Sequence, residues 1–322
     1  MPFNRSQKER FLMVWCAAYE RFMVGEGEEA KKEAKKKGEK NAHELIWAIE
    51  NHPKICDLTT NPFLLTIAAI VHRQGSMLPR YRVELYQLIG KTLIETWDKV
   101  RSMGIAPIVS TFPDYRKEAR ELLYPLGLWM HNHFPTGVAP EDELQRFLIE
   151  KMVDRGMPSE EAEKSVEALF KALRKRTHIL IEKAPQRWGF MHLAFQEYFA
   201  AASLVSSDSY LEEIKKNAYN PRWQEVILLV AGEIGINQGR TKAVTDLITE
   251  LFRGMTKDHL NEEILQKHIL MAGRALAEIG GLEDALEKQI IEKLLDFALR
   301  SDFQRLRQEA CDVLSEIPKF RD

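Results

Sequence analysis

Residues 188–203, Trp188-Gly-Phe-Met-His192-Leu-Ala-Phe-Gln-Glu-Tyr-Phe-Ala-Ala-Ala-Ser203, change character at the histidine. Trp188 to Met191 reads as the end of a strand. Beyond it, apolar residues recur at Ala194, Phe195, Tyr198, Phe199, Ala202 and Val205, the spacing that lines one face of an α-helix. His192 therefore stands where a β-hairpin hands over to a buried helix. Backbone N–H groups at a helix start are unpaired and carry partial positive charge, so an anion can dock there.

Working outward, His178-Ile-Leu-Ile-Glu-Lys183 is the partner strand and Ala184-Pro-Gln-Arg187 the turn. These are the only two strands expected. Before them, Asp114–Phe134, Glu141–Arg155 and a helix opening at Ser159 and ending at Arg174-Lys-Arg176 are amphipathic. Acids open the last of these and bases close it, as the helix dipole favours. Helices, then a hairpin, then another helix is the order of a winged-helix domain, expected over 109–206.

The expected fold class is mainly α: a helical domain (1–108), the winged helix, and a HEAT-like α-solenoid arm (207–322). In the first domain, helices are expected over Ser6–Val24 and Ala42–Asn51, with the charge-rich segment 25–38 an exposed loop or solvated helix. Asn61 is a good N-cap and Pro62 a good first helical residue for an apolar helix ending at Gly75. A long helix follows over Arg80–Met103. In the arm, Gly232-Glu-Ile234, Ala277-Glu-Ile279 and Ser315-Glu-Ile317 each end an apolar helix. These echoes, at roughly 40-residue spacing, are the signature of stacked helical pairs.

Composition narrows the function. A hydrophobic content of 45% and a charged content of 29% describe a globular chain, and a formal net charge of -2 supplies no global field for nucleic acid or an anionic membrane. Three scattered cysteines without a Cys-x-x-Cys pair argue for reduced thiols in a cytoplasmic protein and against a zinc site. No apolar run approaches the ~20 residues that span a bilayer, and the N-terminus has no signal-peptide core.

Three stretches together resemble a known family: Asn61-Pro62-Phe-Leu-Leu-Thr with His72-Arg-Gln-Gly75, Leu78-Pro-Arg-Tyr-Arg-Val-Glu-Leu-Tyr86, and Phe190-Met-His192-Leu-Ala-Phe-Gln-Glu-Tyr-Phe-Ala-Ala201. They are similar to the C-terminal half of NACHT NTPases, the signal-transduction ATPases that include NOD-like receptors and bacterial immune proteins. The resemblance covers about residues 1–205. It implies that Pro62 packs against an adenine and that His192 reaches the β-phosphate of ADP in a closed, inactive state. It also implies a regulatory switch with protein partners, a NACHT NTPase core among them.

The chain itself contains no phosphate loop. Its only Gly-Lys-Thr is Gly90-Lys91-Thr92, with Leu85 where the first glycine of a Walker motif would stand and a helical pattern around it. No enzyme activity and no cofactor are therefore expected of the chain in isolation; ADP or ATP would bind only with a separate NTPase core. Other readings compete. His192 can be a core histidine bonded to a backbone carbonyl, and Pro62 is fully explained as a helix start. His131-Asn-His133 resembles a nuclease fragment but reads as a helix end, and Gln196 and Glu197 read as structural hydrogen-bonding groups. A stand-alone protein-binding scaffold is the alternative function. DNA binding through Arg174–Arg176, Lys183 and Arg187 is disfavoured by Glu160, Glu161, Glu163 and Glu167 on the preceding helix.

Overall fold

The computed structural model of the protein describes residues 3–23, 28–51, 53–73, 79, 81–88, 90, 115–173, 180–254, 266–282 and 284–317. The chain divides into two compact units, Met1–Leu85 and Tyr86–Asp322.

The first unit contains α1 (Arg5–Met23), α2 (Glu28–Glu50), α3 (Pro53–Leu58) and α4 (Pro62–Arg73). Helix α2 begins at Glu28 rather than at Ala42, so most of the charge-rich segment is helical. The reason is a stripe of small residues within the charge. Ala34, Gly38 and Ala42 are buried in line with Leu45 and Ile49, and α1 packs closely on this face while the lysines and glutamates stay in water. Glu20 of α1, only 2% exposed, is held by Lys37 at 3.6 Å and by Asn41 Nδ2 at 3.0 Å. Helix α4 is as apolar inside as its sequence predicts, with Leu64, Leu65, Ile67, Ala68, Ala69 and Val71 buried. Its expected end at Gly75 lies outside the described residues, as does most of Arg80–Met103, of which residues 82–88 (α5) are helical.

The second unit opens with α6 (Tyr115–His133), β1 (Val138–Pro140), α7 (Glu141–Asp154), α8 (Ser159–Leu173), β2 (Leu180–Ala184), β3 (Arg187–Phe190) and α9 (Leu193–Val205). The basic cluster 174–176 lies outside the described residues. The sheet has three antiparallel strands in the order β1-β3-β2, not the hairpin alone. Val138-Ala-Pro140 is too short for an alternating pattern and looks like a loop between helices. It becomes a strand because β3 offers its second edge, with Ala139 opposite Trp188. Trp188 is fully buried, lies edge-on to Phe170 of α8 at 5.0 Å, and donates its indole N–H to Glu141 Oε2 of α7 at 2.7 Å. One side chain thus ties the sheet to both preceding helices.

Helices α6 and α9 form the largest helix pair of this unit. Tyr124 stacks on Phe199 (5.4 Å) and Tyr86 on Tyr198 (5.8 Å). The approach is close because Gly127 has no side chain: a Cβ there would lie 2.6 Å from Phe199 Cβ and 3.0 Å from Ala200 N.

The remaining helices are α10 (Tyr210–Asn217), α11 (Gln224–Gly232) with a π-helical turn over Glu233–Asn237, α12 (Thr241–Arg253), α13 (Lys267–Ile279), α14 (Asp284–Arg300) and α15 (Gln304–Glu316). The isoleucines of the three Glu-Ile endings, Ile234, Ile279 and Ile317, are all buried. Among the described residues no helix is long and apolar enough to cross a membrane.

Gly127→Ala is expected to lower the unfolding free energy by about 1–3 kcal/mol through overpacking, although alanine favours an isolated helix by about 1 kcal/mol. Urea denaturation of the two proteins measures the difference; a variant as stable as wild type would mean that the α6–α9 crossing is loose.

Candidate functional site

His192 is extended (φ -135°, ψ 142°) and is the N-cap of α9. Its ring Nδ1 accepts the N–H of Ala194 at 3.2 Å, and its carbonyl accepts the N–H of Phe195 at 3.1 Å. Two consequences follow. The N–H groups of Ala194 and Phe195 are taken by His192 itself, so the helix start does not offer them to an anion. The ring, accepting at Nδ1, carries its proton on Nε2 and has a single donor left to give.

Electrostatics holds the ring in that form. Burial lowers the His192 pKa, and the ammonium of Lys183 lowers it further. Lys183 is placed by an irregularity of the sheet. The ladder between β2 and β3 pairs Glu182 with Trp188 and Ala184 with Arg187, leaving Lys183 as the extra residue of a bulge. Bulges re-aim side chains, and here the lysine stem runs over Gly189 while Nζ donates to the carbonyl of Met191 at 3.0 Å. Burial in turn lowers the pKa of Lys183. A neutral imidazole donor thus stands next to a cation, an arrangement suited to an anionic oxygen.

Pro62 belongs to the other unit. It is the first residue of α4, half-buried, with Asn61 capping the helix through the N–H of Leu64 at 3.3 Å and its own carbonyl accepting the Thr66 hydroxyl at 2.8 Å. This is the helix-start role its sequence context predicts. Gly90 is helical and buried, within van der Waals reach of Phe199. A phosphate loop cannot be built on a glycine inside a packed helix.

His131 is indeed at a helix end, but it is a core residue: 2% exposed, with neither ring nitrogen bonded among the described residues, edge-on to Trp223 at 5.2 Å. Arg222 Nη2 donates to the His131 carbonyl at 2.7 Å, so the residues leading into α11 grip the C-terminal turn of α6. Burial first, then the nearby Arg222, push the His131 pKa down to about 4. Gln196 departs from expectation. It is 1% exposed and its amide finds no hydrogen-bond partner among the described residues, so it costs stability, about 1–3 kcal/mol for an unsatisfied buried group, instead of bracing the helix. The bulge that aims Lys183 and the Arg222 clasp leave no mark in the sequence; Lys183 was legible only as a basic residue of the wing.

Residues 82–204 match the family described as the winged helix-turn-helix domain C-terminal to NACHT. No curated protein and no solved structure matches the chain.

Two titrations check this geometry. Lys183→Met removes the neighbouring charge and is expected to raise the His192 pKa, read by NMR of the imidazole nitrogens; an unmoved pKa would place the ammonium elsewhere. His131 is neutral in the folded protein down to about pH 4 but titrates near 6.5 when unfolded. The unfolded chain therefore binds the extra proton across that window. Its stabilising contribution is complete above about pH 6.5 and falls by about 1.4 kcal/mol per pH unit as the pH drops toward 4. His131→Phe should flatten the pH dependence of urea unfolding by about one proton, and an unchanged slope would contradict the burial of a neutral ring.

Proposed function

Given a winged helix of the kind found C-terminal to NACHT, we propose that this chain is the regulatory portion of a NACHT-type signal-transduction switch, acting in the cytoplasm and not itself hydrolysing nucleotide. In the closed state it covers an ADP held by a phosphate-loop module. His192 donates Nε2–H to a phosphate oxygen, and Pro62 packs against the adenine. The helical pairs after α9 act as a HEAT-like sensor arm that protein partners engage.

One observation carries this reading. The α9 cap commits His192 Nδ1 to Ala194 and leaves a neutral ring whose only donor is Nε2–H, with Lys183 beside it. A neutral donor binds phosphate without needing a proton from solvent, so the lock would hold at neutral pH and be indifferent to small pH changes above 6.5. Displacing the winged helix removes the donor and the cation together, since both are fixed to the same hairpin and helix start. Opening would therefore weaken the hold on ADP in one step, and exchange for ATP would follow.

The test is reconstitution with a NACHT phosphate-loop module loaded with radiolabelled ADP. His192→Ala is expected to speed ADP release by about tenfold or more, the value of a lost charge-assisted hydrogen bond of about 1.5–3 kcal/mol, and Pro62→Ala by less. Equal retention by wild type and His192→Ala removes the lock.

A further inference from the structure

A cavity of about 700 Å³ opens between α11, α12, α13 and α15, far along the chain from His192. Helix α13 supplies its most telling residue. From Ile269 to Ile279 every residue of that helix is buried except Arg274, which is half-exposed and lines the cavity. Among the described residues Arg274 has no ion-pair partner. Among the described residues Glu309 is the one carboxylate on the cavity wall, and it is already paired with Arg305 at 2.8 Å. The Arg274 guanidinium presents five N–H donors in a fixed fork. The group that fits that fork is a carboxylate, bound through two parallel hydrogen bonds.

The rest of the cavity selects what carries the carboxylate. Leu270, Met271 and Leu306 make an apolar floor, and methionine adapts to side chains of different shape. Phe303 stands 60% exposed on the rim, with Leu299, 76% exposed, four residues earlier near the end of α14. The exposed ring of Phe303 gives a chain that leaves the cavity an apolar surface to lie on. Lys267 adds a second cation to the walls.

We infer that this cavity docks an acidic peptide segment of a protein partner, one carboxylate on Arg274 and an adjacent apolar side chain on the Leu270–Met271–Leu306 floor. A polynucleotide is the poorer fit, because it needs a continuous stripe of cations, whereas the described lining interrupts its cations with Leu251, Leu270, Met271, Leu306 and a glutamate. The inference is independent of His192 and of nucleotide.

Fluorescence anisotropy with a fluorescein-labelled peptide of alternating Glu and Leu tests it on the full chain. Saturable binding that weakens with salt is expected, along with no binding of the matching peptide of alternating Gln and Leu. Arg274→Gln should weaken binding by about tenfold or more, and Arg274→Lys by less. Phe303→Ser and Arg305→Gln sit at exposed positions and should each weaken binding with the fold intact; they decide the matter if Arg274→Gln fails to fold. Equal binding of the Gln peptide overturns the inference, as does unchanged affinity in the variants. So does an oligothymidylate that displaces the peptide at matched charge.

Discussion

The close crossing of α6 and α9 at Gly127 is the constraint on which the second unit depends. With no Cβ on α6 at that point, the backbone of Gln196 and Ala200 and the Cβ of Phe199 come close against it. That depth brings Tyr86, Tyr124, Phe195, Tyr198 and Phe199 into one aromatic cluster. It also sets where α9 begins, and hence where His192 sits. A side chain at residue 127 would push α9 outward and move the N-cap with it.

The start of α9 shows why a feature that looks like an anion site from sequence is built differently. A bare helix terminus attracts anions through its unpaired N–H groups. Here the histidine consumes two of them, one with its ring and one with its carbonyl. Charge attraction passes instead to side chains, to Nε2–H and to the ammonium that the β-bulge brings alongside.

The unit also accepts local costs. The side chains of Gln196 and His131 are buried polar groups without hydrogen bonds among the described residues, and the total margin of an ordinary domain is about 5–15 kcal/mol. His131 lies where Arg222 and Trp223 clasp the end of α6, so its protonation would strain the link between the winged helix and the helices that follow. An interior with such groups is poised closer to rearrangement than a fully apolar one.

Much of this was determined by sequence alone. The period of 3.6 in residues 194–205, the Asn61-Pro62 start and the repeated Glu-Ile endings each depend on neighbours along the chain, so helices, buried faces and caps could be read directly. The signature around His192 pointed to a NACHT-associated winged helix before any coordinates. What only the tertiary structure decided involves partners distant in sequence. Val138-Ala-Pro140 is a strand because β3 has an edge to fill. The charged start of α2 is helical because α1 lies against Ala34 and Gly38. Lys183 faces the Met191 carbonyl because a bulge turns it there, and Arg274 is conspicuous only once its neighbours from Ile269 to Ile279 are seen to be buried. Local periodicity cannot encode these, since a contact between residues far apart exists only when the whole chain has closed around it.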